Sequence, residues 1–225
     1  MAMDPRKRQK KLQRRKAKEK AKRKALAQRA PRSLATRIQG AAAAPILHCC
    51  ATEALWDQGL SHVLISRELR SGDVAFVVFL VDAYCLGVKD VVFDVAPRSR
   101  YDWKVYGKLL ETQEVVQLEP EETRKLIEGA VEYARDLGFA PHHDYRKAKS
   151  IFGDIDADAA EEEFVFGKDG KPFFFAGPYD DRARCKEILS ILTNRCGPDG
   201  FYYTMPAELA GALPPEDELF VIDEM

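Results

Sequence analysis

The chain has 225 residues, of which 46% are hydrophobic and 32% charged, with a formal net charge of −1. That length suits one substantial core and is too short for two comfortable domains once a tail is set aside. The composition belongs with soluble globular proteins and not with disordered or fibrous ones, and no window approaches the ~20 apolar residues of a membrane-spanning helix.

The near-zero charge conceals a split. Residues 1–37 hold 16 of the 35 Lys and Arg but two of the 36 Asp and Glu, which leaves residues 38–225 with 19 basic and 34 acidic side chains. The first block, "DPRKRQKKLQRRKAKEKAKRKALAQRAPRSLATR", is rich in helix formers yet has no apolar stripe. Its like charges repel at i,i+4, so alone it is expected to be disordered, and helical only against a polyanion. Arg6, Lys7, Arg8, Lys10, Lys11, Arg14, Arg15, Lys16, Lys18, Lys20, Lys22, Arg23 and Lys24 are the candidate nucleic-acid contacts. Each cation placed on a phosphate releases a counterion, and no aromatic residue is present to wedge into a lipid surface. RNA, DNA or a ribosome, reached through residues 6–29, is therefore favoured over a membrane. The competing reading is a solubilising tail, or one that folds back on the acidic remainder.

Pro31 and "GAAAAP" at 40–45 predict a boundary, giving a basic tail and linker over 1–44 and one α+β domain over 45–225. "PILHCCATEALWDQGL" places Leu47, Cys50, Ala51, Ala54 and Leu55 on one helical face and predicts a helix ending near Gly59. "SHVLISREL" alternates as a strand, "DVAFVVFLVDAY" is apolar on both faces like a central strand, and "VVFDV" follows the turn "LGVKD". Three runs with short links predict an antiparallel meander. "PRSRYDWKVYGKLLET" predicts a helix. In "LEPEETRKLIEGAVEYARDLGF", Pro120 suits the first helical position and Gly138 the position past the end. Leu126, Ile127, Ala130, Val131, Ala134 and Leu137 supply its buried face. After a loop, Asp169-Gly170 suits the turn of a hairpin in "EFVFGKDGKPFFF", and Pro172 assigns that hairpin to a sheet edge. Asp180 or Asp181 caps a last helix closed by Gly197, and "GFYYTM" adds a strand. The expected fold class is α+β: a meander sheet with packed helices and a C-terminal hairpin–helix unit.

Two places in the domain hold residues of catalytic type. His142, Asp144, Asp154 and Asp156 form a loop set that suits a divalent metal and an activated water. The Asp154-x-Asp156-x-Asp158 spacing is not an EF-hand, because Ala159 and Val165 stand where that loop needs Gly and Glu. Ile155 between the aspartates points instead to local capping around a buried anchor. Asp82 is the other candidate; buried in a strand, it is expected to be hydrogen-bonded or paired with Lys89. Cys85 beside it has an apolar setting that raises a thiol pKa and leaves it inert. Walker, dinucleotide, GxSxG and HExxH motifs are missing.

The cysteines Cys49, Cys50, Cys85, Cys185 and Cys196 are odd in number and include no CxxC, which argues against structural zinc and for a reducing compartment. No apolar stretch follows the basic start, so no secretory signal is read and a cytoplasmic protein is expected.

"VFLVDAYCLGVKD", "GFAPHHDYRKAKSIFGDID" and "EFVFGKDGKPFFFAGPYDD", in this order, resemble phrases of a family of uncharacterised bacterial proteins. The resemblance covers roughly residues 45–204 and implies a bacterial cytosolic protein. It carries no assigned activity, so no catalytic residue is transferred. The combined reading is a non-enzymatic protein associated with nucleic acid or ribosomes, its acidic domain open to a protein partner and requiring no cofactor. The alternatives are a metal-dependent hydrolase or nuclease using the His/Asp loop, with a divalent metal, and a protein-interaction adaptor.

Overall fold

The three apolar runs form the expected antiparallel meander. In a computed structural model, which describes residues 33–206 together with Lys16 and Lys18, they are β2 (Leu60–Glu68), β3 (Asp73–Asp82) and β4 (Gly87–Pro97). The sheet has five strands, ordered β4-β3-β2-β1-β5, where β1 is Ile46–Thr52 and β5 is Val115–Gln117. All its pairings are antiparallel. β3 is interior as its apolar run predicts, while the middle place falls to β2.

Two expectations at the start of the domain are corrected. Residues 46–52 are a strand, and the helix that follows is one short turn, α2 (Ala54–Gln58). Cys49 packs into the core on one face of the sheet and Cys50 into the core on the other. A strand covered on both faces loses the polar alternation that marks strands, so its consecutive apolar residues mimic a helix. The boundary also moves. Helix α1 (Leu34–Ala41) buries Ile38 and Ala41 in the core, and the compact unit begins at Leu34 instead of Pro45.

One face of the sheet packs Val63, Ile65, Val77, Phe79 and Val81 against α1, the long helix α5 (Pro120–Asp136) and α6 (Tyr145–Ala148). On the opposite face, Leu64, Val74 and Phe76 meet Tyr101. Tyr101 ends α3 (Arg98–Tyr101), which continues through a π-helical turn (Asp102–Tyr106) into α4 (Gly107–Thr112). α5 starts as its sequence requires: Pro120 occupies the first turn, and the Glu119 N–H donates to Glu122 Oε2 at 3.0 Å. Its buried side includes Leu126, Ile127, Ala130 and Ala134.

The third part lies beyond the β3–β4 connection. Cys85 and Leu86 from that connection join Phe174, Cys185, Ile188 and Leu192 in a separate apolar cluster. Helix α7 (Arg182–Cys196) begins at Asp181, which accepts the Arg184 N–H at 2.8 Å. The expected tight turn forms, with Asp169 and Gly170 at φ 51° and 79° between bridged Lys168 and Lys171. The strand leaving it, β6 (Phe173–Phe175), does not fold back on 164–166; it pairs in parallel with β7 (Tyr202–Thr204). Pro172 lacks an N–H but its carbonyl accepts from Tyr202 at 2.8 Å, which starts that pairing. No described helix is long and apolar enough to cross a membrane.

Candidate ligand-binding cleft

The predicted loop residues separate into different roles. His142, His143 and Asp144 hold ligand-type atoms within 4.8 Å of one another, the one such trio among the described residues. Asp144 is already engaged: Lys147 Nζ donates to it at 2.6 Å and holds its carboxyl below the usual range. His143 is 76% exposed on its side chain, and His142 Nε2 lies 3.7 Å from Asp90. Asp154 and Asp156 do not join this trio. Asp156 accepts the N–H of Asp158 at 3.1 Å, capping its own 3₁₀ turn. Asp154 acts on Arg67, a buried guanidinium that donates to the carbonyls of Ile151, Phe152 and Ala44. Asp82 is elsewhere again. Of the tail candidates, Lys16 and Lys18 are helical and exposed; Arg6, Lys7, Arg8, Lys10, Lys11, Arg14, Arg15, Lys20, Lys22, Arg23 and Lys24 lie outside the described residues.

Asp82 lines a cleft of about 420 Å³ built around the β3–β4 connection. It accepts the N–H groups of Tyr84 and Cys85 at 3.0 and 2.9 Å, which bends the chain out of β3. Burial pushes its carboxyl up to about 6, against the opposing pull of Lys89 and the turn N–H groups. The connection then serves as a docking edge: the Ala83 carbonyl accepts from Gly167 at 2.9 Å, and the Tyr84 carbonyl from Phe173 at 3.0 Å. Tyr84 forms one wall by lying flat on Gly59, where any Cβ would run into its ring. Gly59 closes α2 at φ 70°, so two separate constraints favour glycine there. Lys89 reaches the cleft from β4, its Nζ 3.8 Å from Asp180 Oδ2, and that oxygen also accepts the Gly177 N–H at 2.8 Å.

The opposite wall is aromatic. Phe173 and Phe175 line the cleft from β6, and Phe175 is 59% exposed. Tyr202 is registered with Phe173 across the parallel pair and continues the same face at 43% exposure. Lys168 Nζ sits 5.0 Å from the Phe173 ring centroid, and Lys171 Nζ 5.2 Å from that of Tyr202. Lys168 forms no ion pair with a described residue, although the region beyond residue 37 is acidic. Sequence reasoning missed this wall. Its signal was the interleaving of lysines with aromatic runs in "GKDGKPFFF" and "GFYYT".

A second polar group, also missed, lies on the far face of the sheet. The Tyr101 hydroxyl joins His48 Nδ1 at 2.8 Å and Ser66 Oγ at 2.9 Å, and His48 stacks on Tyr106 with centroids 4.0 Å apart. Tyr101 and Ser66 are fully buried and meet each other's hydrogen-bonding needs, so the group ties α3 to the sheet.

Comparison with protein-family models, with curated proteins and with solved structures finds no match to this chain.

Proposed function

We propose that the protein is a non-enzymatic nucleic-acid-binding protein of a reducing, cytoplasmic compartment. Its basic N-terminal segment, residues 6–29, is the main contact with RNA or DNA, including RNA on a ribosome. The observation that carries this reading is the charge segregation, with 16 basic residues against two acidic ones before residue 38 and the reverse excess after it. A block of that kind neutralises phosphates in series, and the released counterions supply most of the binding free energy. An acidic folded unit on the same chain disfavours non-specific adsorption of its own surface to polyanions. The lack of CxxC pairing and the free state of Cys49, Cys50, Cys85, Cys185 and Cys196 suit the compartment.

The test is a gel-shift titration with single-stranded RNA, comparing the full chain with one that begins at Ser33. Removal of residues 1–32 is expected to weaken binding at least ~100-fold at low salt. A truncated chain that binds RNA as tightly as the full one overturns the reading.

A further inference from the structure

The cleft has a chemistry of its own. Its aromatic wall is Phe173 and the 59% exposed Phe175, and Tyr202, registered with Phe173 but outside the cleft lining, extends that face of the β6–β7 pair. Aromatic faces on an exposed two-stranded platform are suited to stacking planar bases, and every base has such a face. Cations stand over two rings of this pair, Lys168 over Phe173 and Lys171 over Tyr202, and Lys89 lines the same cleft. Lys168, exposed in the cleft lining and unpaired with any described carboxylate, is the cation available to a phosphate. The volume of about 420 Å³ falls in the range of small-molecule sites. On the inner wall, Asp82 and Lys89 offer an acceptor and a donor, the complement of a base edge that carries both.

We infer that this cleft is a binding site for one nucleotide, with the base stacked on the Phe175 face and the phosphate held by Lys168. The inference deepens the nucleic-acid reading and rests on it for the identity of the polymer, while the cleft itself needs none of the tail's charges. The nucleotide arrives either free or as an unstacked residue of a single strand. Both present the same ring and phosphate.

The experiment uses the full chain in 0.3 M salt, where the tail's contacts are screened, and titrates it with AMP, GMP, CMP and UMP, with inorganic phosphate as control. At least one mononucleotide is expected to saturate a single site and to bind at least tenfold more tightly than phosphate. Phe175→Ala and Lys168→Ala, both at exposed positions, are each expected to weaken it at least fivefold while thermal unfolding stays unchanged; Lys147→Ala, outside the cleft, leaves it unaltered. A six-nucleotide RNA that competes with the mononucleotide assigns the site to single strands, and one that fails to compete assigns it to free nucleotides. Mononucleotide affinity no better than that of phosphate, or unaffected by both cleft substitutions, overturns the inference. Failure of the tail reading looks different: truncation at Ser33 leaves polymer binding intact, whatever the mononucleotides do.

Discussion

Asp82 accepts the Cys85 N–H at 2.9 Å, so the carboxylate that ends β3 is the post around which the chain turns toward β4. The same residue lines the cleft, which places a carboxyl of shifted pKa at the junction of the two largest apolar clusters.

Asp82 is expected to make the fold less stable as pH rises through the weakly acidic range. Its folded pKa is about 6 against an ordinary 3.8, so between those values the folded chain binds more protons than the unfolded one. Stability therefore falls from about pH 4 to about pH 6 and stays lowered above it, by roughly 3 kcal/mol if two pKa units are retained. Asp82→Asn keeps an oxygen to accept the turn N–H groups and removes the charge. Urea unfolding from pH 4 to 7 should show that slope in the parent and not in the variant, which gains stability at pH 7.

His48 acts with the opposite sign. Burial, and then the charge of Arg98, lower its pKa from 6.5, while Asp102 partly opposes them. The unfolded chain then binds the extra proton, so stability declines as pH drops below about 6.5 toward the folded value. His48→Gln is expected to flatten that part of the profile. The control is the Asp82→Asn background, in which the His48 contribution stands alone.

Arg67 binds the carbonyls of Ile151, Phe152 and Ala44 and so fastens the segment before β1 and the turn after α6 to β2, the middle strand. Arg67→Met should cost about 2–4 kcal/mol, since it leaves buried acceptors without a charged donor. Lysine, with one nitrogen in place of a planar fork, is expected to restore less than half of the loss. Asp154→Asn, which removes only a nearby charge, should cost under about 1 kcal/mol. Denaturation midpoints of the three variants give the ranking.

How much of this was legible in the sequence varies with the range of the interaction. β2, β3, β4, α5 and α7 could be read because their signals are local: Pro120 and Gly138 bracket one helix, Asp181 and Gly197 the other. β1 was misread because Cys49 and Cys50 are buried on opposite faces, which erases alternation. α1 was missed because small residues around Ile38 look like a linker until a sheet covers them. Asp82 could be anticipated as a satisfied buried carboxylate, but the cleft could not. It joins residues near 58, 82, 173 and 204, a juxtaposition that only the β6–β7 pairing and the β3–β4 docking edge create.

The thiols should divide by burial. Burial pushes Cys49 and Cys50 up to about 11 and 12 and raises Cys85 and Cys185 as well, whereas Cys196 is partly exposed. At pH 8 a thiol reagent is expected to label Cys196 first and to reach the other four only on unfolding. Peptide mapping of the labelled chain reports the order.

The most direct measurement is the slope of log affinity against log salt for single-stranded RNA and the full chain. If at least about six tail cations neutralise phosphates, the slope is −4 or steeper, at about −0.7 per phosphate. Removing residues 1–32 should then flatten it to a slope shallower than about −1. A shallow slope in the full chain, or a steep one that survives the truncation, would contradict the assignment of nucleic-acid binding to the basic segment.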